Sequence, residues 1–219
     1  MTRHPFDCHV GHVAAWLQET GKRLCPDRGQ AERFLRLLDP SAAFFSFRTF
    51  SDTPYTRAPG RDPLERVIHG ALDTCWDSLT ALNRAGASIS VTVNATNRQG
   101  RAPSDIVCIR ALFVDDDHPD RRSGRFALFP HLTIASSPGR FHYYWLTRAC
   151  GFPDFESYQR RLAAVYATDH KVCALNQSMA LPGFWRRKNT RTWFRTTILR
   201  VGNAGALKDQ DIVQLLDDS

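Results

Sequence analysis

Apolar residues recur at helical spacing over 29–39 (GQAERFLRLLD). Ala31, Phe34, Leu35 and Leu38 share one face there, and Pro40 stops the run. A second periodic run opens at Pro63. Leu64, Val67, Ile68, Ala71, Leu72, Cys75, Trp76, Leu79 and Leu82 keep the period until Gly86, which predicts one long helix. Between them, 42–49 (AAFFSFRT) reads as a strand and 51–62 as a polar loop rich in Pro and Gly. Further strands are expected at 88–94, 106–114, 131–136, 141–147 and 192–200, with helices at 154–166 and 207–217. Grouped strands with helices between them predict an α+β fold on a largely antiparallel sheet flanked by helices. No Pro/Gly/Ser linker divides the chain. The expectation is a single domain over 1–219, with a small N-terminal α/β portion (about 1–86), a core (about 87–205) and a terminal helix (206–219).

A chain of 219 residues, 42% hydrophobic, can bury a core, which excludes disorder as a whole. No apolar run nears the roughly 20 residues that span a bilayer, and the start has no apolar signal core, so no membrane partner and a cytoplasmic location are expected. The six cysteines form no CxxC pair and read as reduced thiols; Cys8, His9, His12 and Cys25 fit no common zinc spacing. Basic residues (29) exceed acidic ones (22), and all but Lys22, Lys171, Lys188 and Lys208 are arginines. Arginine's planar fork suits phosphate oxygens, so an anionic partner, nucleic acid first, is favoured.

Four stretches carry candidate chemistry. In IRALFVDDDHPD (109–120) an apolar strand runs into Asp115, Asp116 and Asp117. Alternation places Asp115 and Asp117 on one face, their backbones roughly 7 Å apart. Two carboxylates side by side repel and want a cation, and hard oxygen donors favour Mg²⁺ or Mn²⁺. The bland alternative is an acidic turn. In SSPGRFHYYW (136–145), Ser136, Ser137, Pro138 and Gly139 form a turn whose backbone could approach a phosphate. His142 follows, with Tyr144 on its face; a histidine there can hydrogen-bond a triphosphate oxygen, and the bland alternative, which this stretch alone favours, is a hairpin turn with a satisfied histidine on the sheet. The stretch 168–195 holds Asp169 as a candidate third carboxylate. It then brings Arg186, Arg187, Lys188, Arg191 and Arg195 among Trp185, Trp193 and Phe194, with no acid between them. Basic side chains grip phosphates and aromatic faces stack bases. In VNATNRQGR (93–101), Asn94, Arg98 and Arg101 could touch nucleic acid.

In this order the elements resemble the archaeo-eukaryotic primase superfamily, in particular the RepB-like plasmid and phage primase domain. Val93, Asn94, Gly100 and Arg101 match its first element, and Phe113 to Asp117 its acidic strand. Ser137, Pro138, Gly139, His142, Tyr144 and Trp145 match its SPG…H…YW element, and Leu181 to Phe184 with Lys188 its late lPGf…K element. Over about residues 89–188 the resemblance implies a catalytic sheet of RNA-recognition-motif type and primer synthesis from nucleoside triphosphates on single-stranded DNA, in plasmid or phage replication. It implies two Mg²⁺ or Mn²⁺ ions on Asp115, Asp117 and Asp169, with His142 as a catalytic neighbour. It also implies a nucleotide seat at Ser136, Ser137, Gly139, His142, Arg186 and Lys188. Template contacts fall to Asn94, Arg101, Arg187, Arg191 and Arg195, and a replicative helicase or replication initiator is the expected protein partner. The chain departs from the family pattern at Arg140, where a small residue is common, and at Thr168, where an apolar residue usually precedes the acid. Two rival readings stay open: a metal-dependent nuclease using Asp169, His170 and Lys171, and a non-catalytic single-stranded nucleic-acid-binding module.

Overall fold

The computed structural model describes residues 24–52, 62–117, 126, 128–148, 150–187 and 193–217. The expected Lys188 and Arg191 sites, and the Cys8, His9 and His12 cluster, lie outside them. Two four-stranded antiparallel sheets carry the fold. The first has order β2-β1-β3-β9, from Arg66–Gly70, Phe45–Ser51, Ala87–Thr92 and Ser178–Ala180. The second has order β12-β7-β8-β6, from Thr197–Val201, Leu132–Ser137, Arg140–Leu146 and Ala111–Asp116. Two short pairs complete the strands: β4 (Ala95–Thr96) with β5 (Ile106–Cys108), and β10 (Trp185–Arg186) with β11 (Phe194–Arg195). The helices are α1 (Arg28–Leu38), α2 (Leu72–Arg84), α3 (Phe152–Val165) and α4 (Asp209–Asp217). This is the expected α+β class. Strands from both sides of residue 86 share the first sheet, because β3 and β9 pair with each other and β3 with β1.

Helix α1 starts where expected. The Asp27 side chain accepts from the Gln30 N–H, which satisfies one of the free donors of the first turn. Its apolar stripe reaches the second sheet: Phe34 meets the Tyr144 ring edge-on at 5.4 Å, and the Gln30 side chain accepts from the Ile198 N–H. At its other end Asp39 takes a 2.9 Å bond from the Arg110 guanidinium, and both side chains are largely buried. Burial works against that carboxylate, but the Ser41 hydroxyl and Arg110 hold it below the usual range.

The long helix predicted from Pro63 is not formed. Residues 66–70 are β2, paired antiparallel with β1, and α2 begins at Leu72. The apolar positions fit either period, and β-branched Val67 and Ile68 complete the edge of a sheet that β1 alone would leave open. The strand expected over 106–114 also breaks. Arg110 donates its N–H to buried Asn94, and its side chain turns to Asp39, so β5 and β6 join different sheets. The late strand splits at Thr196, whose backbone bonds both Phe184 and Gly183. Gly183 sits at φ +93°, and a Cβ there would overlap the Asp27 carbonyl oxygen. The LPGF turn is thus the docking point of the segment leading into α1.

Candidate active site

Strand β6 is an edge strand, and its outer side is closed by one side chain. Fully buried Gln159 of α3 accepts from the Phe113 N–H at 2.9 Å and donates to the Phe113 carbonyl at 3.0 Å. Its second amide hydrogen goes to the Val172 carbonyl at 3.3 Å. The Phe113 ring packs between Phe155 and Tyr144 at 6.1 and 6.4 Å. The strand end that carries the acids is fixed from both sides.

On its inner side β6 pairs with β8, Asp115 opposite His142 and Asp116 opposite Phe141. Opposed residues share a face. His142 Nε2 lies 3.5 Å from Asp115 Oδ1, with the imidazole buried and the carboxylate about one quarter exposed. One step along the same face, Arg140 Nη1 lies 2.9 Å from Asp117 Oδ2. Asp115 and Asp117 thus share a face, as the alternation predicts, Asp115 beside the His142 imidazole and Asp117 beside the Arg140 guanidinium of β8. Asp116 points the other way and, after burial, helps push the Tyr143 phenol up to about 12. Tyr144, behind His142, is raised well above its ordinary value by burial and then by the Asp115 charge. A neutral phenol there adds no charge to the acid pair.

The β7–β8 connection is the two-residue turn Pro138–Gly139, with Gly139 at φ +69°. Ser136 and Ser137 are buried at its base. The Ser136 hydroxyl bonds the Arg140 carbonyl at 3.4 Å, and the Ser137 hydroxyl finds no partner among the described residues. Asp117 Oδ1 is likewise buried with no partner among them. Two hard oxygens on one face, one of them unsatisfied, suit a divalent cation.

Asp169 stands apart. It is exposed and accepts from the Lys171 N–H in its own turn. Among the described residues no group of three His, Cys, Asp or Glu that could hold a metal comes together. Asn94, expected at a nucleic-acid surface, is buried. Its amide accepts from the Arg110 N–H and donates to the Leu175 carbonyl. Arg101 is tied to the Asn176 carbonyl and the Ser178 hydroxyl, each at 3.1 Å. The basic stretch meets acids from distant sequence. Arg186 Nε is 3.8 Å from Asp52, the Arg187 N–H also bonds Asp52, and Arg195 lies 3.8 Å from Asp27 and over the Trp185 ring. Arg187 covers Trp193 at 5.1 Å, so these aromatics serve arginines.

Two residues escaped the sequence reading. Arg140 follows from the β6–β8 register: pairing 115 with 142 sets 140 beside 117. Gln159 leaves no such trace, because a buried glutamine in a helix reads like any polar residue of its exposed face.

Two antiparallel sheets, with an acidic strand end facing a histidine on the adjoining strand, make up a domain of primase type. The chain belongs to the family of the RepB DNA-primase N-terminal domain, which it matches over residues 80–202. No curated protein matches it in sequence. Among solved structures, the AEP domain of the cyanophage S-2L primase-polymerase (PrimPol) matches with a TM-score of 0.68 at 19% identity, covering 88% of this chain and 100% of that one. Primase RepB' matches with 0.61 at 16% identity, covering 87% of this chain and 62% of that one. The catalytic domain of primase RepB' in complex with initiator DNA matches with 0.58 at 16% identity, covering 87% and 93%. At these identities the likeness is one of fold. No helix among the described residues is long and apolar enough to cross a membrane.

Proposed function

We propose that this domain is a template-directed nucleotidyltransferase that makes short primers on single-stranded DNA, in plasmid or phage replication. The observation that carries the reading is the pairing of Asp115 with His142 and of Asp117 with Arg140 on adjoining strands. Family membership and a fold shared with a primase solved with initiator DNA support it.

In this reading Asp115 and Asp117 hold divalent ions, Mg²⁺ or Mn²⁺, without Asp169, which does not come together with them. When bound, such ions lower the pKa of an attacking 3′-hydroxyl and offset charge on the leaving pyrophosphate. Arg140 holds one oxygen of Asp117, which leaves the other aimed at the site. His142 lies on the shared face and is placed to donate to a phosphate oxygen, stabilising charge as it moves to the leaving group. The Ser137 hydroxyl and the Pro138–Gly139 turn seat the triphosphate, with Arg186 and Lys188 neutralising it. Arg187, Arg191 and Arg195 hold the template through phosphates, largely without reading bases. Fixing both reactants removes much of the entropic barrier to starting a chain from free nucleotides.

The test is incubation with single-stranded DNA, labelled ribo- or deoxyribonucleotides and Mg²⁺ or Mn²⁺. Oligonucleotide products are expected. Shortened template with no synthesis would establish a nuclease instead, and binding with neither product a non-catalytic module.

A further inference from the structure

The first sheet has two unlike faces. One carries buried Phe47, Ile89, Val91 and Met179. The other carries Ser46, Arg48 and Phe50 on β1, Ser88, Ser90 and Thr92 on β3, and Ser178 and Ala180 on β9; Arg48 stands opposite Ser90 with its guanidinium 5.5 Å over the Phe50 ring, Phe50 opposite Ser88, and Thr92 opposite Ser178. Part of this face is internally bonded. Ser46 shares hydrogen bonds with His69 Nδ1 at 2.7 Å and the Thr96 hydroxyl at 2.5 Å, and the Thr92 and Ser178 hydroxyls lie 3.3 Å apart. Arg101 reaches the same face, because its guanidinium donates to the Ser178 hydroxyl.

Two guanidinium groups therefore stand over one row of hydroxyls. Burial is the larger influence that lowers the Arg101 pKa, and the Arg48 charge adds to it. Three polar groups on this face are buried with no hydrogen-bond partner among the described residues: Arg48 Nε, Arg101 Nε and the Ser88 hydroxyl. All three can donate, and buried donors call for an acceptor. An oxyanion is the acceptor a guanidinium fork fits best. Glu65 accepts from Arg48 at 3.0 Å and cancels part of the charge. Two guanidiniums less one carboxylate leave a single positive charge. That balance suits the one negative charge of a phosphodiester better than the several of a free triphosphate.

We propose that this face seats a backbone phosphate of single-stranded DNA between Arg48 and Arg101, with the Ser88 and Ser90 hydroxyls behind it. The inference rests on the reading that single-stranded DNA is a substrate, and it assigns where one part of that strand lies. Arg48 was no candidate from sequence, since an arginine in a strand is unremarkable until its neighbours are known.

The experiment is equilibrium binding of a fluorescent oligo-dT over a salt series, with nucleotide KM measured beside it. Arg48→Gln is expected to weaken binding about fivefold and to make the log–log salt slope shallower by about 0.7, the value of one single-strand phosphate contact. Glu65→Gln removes the competing carboxylate and is expected to tighten binding about two- to threefold, a gain that damage to the fold does not produce. Nucleotide KM stays at the parent value in both. An Arg48→Gln protein with parental affinity and slope overturns the seat while leaving primer synthesis untouched. A raised nucleotide KM with unchanged DNA affinity overturns it in favour of a nucleotide subsite. A parent that binds no single-stranded DNA overturns both this seat and the function it rests on.

Discussion

Replacing Gln159 with leucine tests how the fold holds the acidic strand. The amide makes three bonds, two to the backbone of Phe113 and one to Val172, in a fully buried setting. Leucine fills similar volume, so the cavity contribution is small. What changes is that the Phe113 N–H and C=O, and the Val172 C=O, lose their partner where water cannot replace it. Each buried orphan costs about 1–3 kcal/mol, and leucine's added apolar contact returns part, so the net loss is about 2–4 kcal/mol. For a chain of this size that lowers Tm by roughly 5–15 °C. Gln159→Glu keeps the acceptor for the Phe113 N–H but faces two carbonyls with lone pairs. Its buried carboxyl has a raised folded pKa, so its deficit relative to the parent is largest at neutral pH, shrinks as pH falls through that raised value, and is smallest below about pH 4. Because Phe113 lies two residues before Asp115, the leucine variant should also need more Mn²⁺ for half-maximal primer synthesis at a temperature where it is folded. Urea unfolding followed by circular dichroism reads the first effect and a metal titration the second. A loss below about 1 kcal/mol with an unchanged metal optimum would refute the reasoning.

Three further outcomes are expected. Asp39→Asn strips the partner from nearly buried Arg110 and should destabilise by about 2–4 kcal/mol at pH 7. The parent Asp39 pKa is depressed, so its contribution is present above about pH 4 and fades as pH falls through the folded value; urea unfolding at pH 7 and pH 3 should show the variant's deficit shrinking in acid. Gly183→Ala combines a positive φ with overlap against the Asp27 carbonyl and should cost about 2 kcal/mol or more in thermal unfolding. Lys188→Ala should raise the nucleotide KM in steady-state primer synthesis; parental KM and kcat together would remove Lys188 from the triphosphate seat.

What the sequence made legible follows from how local each signal is. The α1 stripe and the Ser136–Gly139 hairpin are set by period and turn chemistry and appear where expected, while of the strand expected over 106–114 only the part from Ala111 leads into the acids. The Asp115–His142 pairing is legible in part: alternation places each residue on a face, but the hairpin turn fixes β8 only against β7, and the register of β6 on β8 comes from the fold. The Pro63 run misled because a helical period of apolar residues also satisfies a short strand followed by a helix, and only β1's need for an edge partner decides between them. Asn94 read as a surface polar residue because its buried partners, Arg110 and Leu175, come from distant sequence. The basic stretch looked free of acids for the same reason: Asp52 and Asp27 reach it only through the fold.

The central claim is that the Asp115 and Asp117 carboxylates, side by side facing β8, do the chemistry. The most direct measurement is primer yield from Asp115→Asn and Asp117→Asn, each compared with the parent on the same template and with binding of single-stranded DNA measured in parallel. The account expects either change to lower synthesis by about a thousandfold or more while DNA affinity holds or rises, because an acid is lost and a negative charge removed. Parental primer yield from either variant would contradict it.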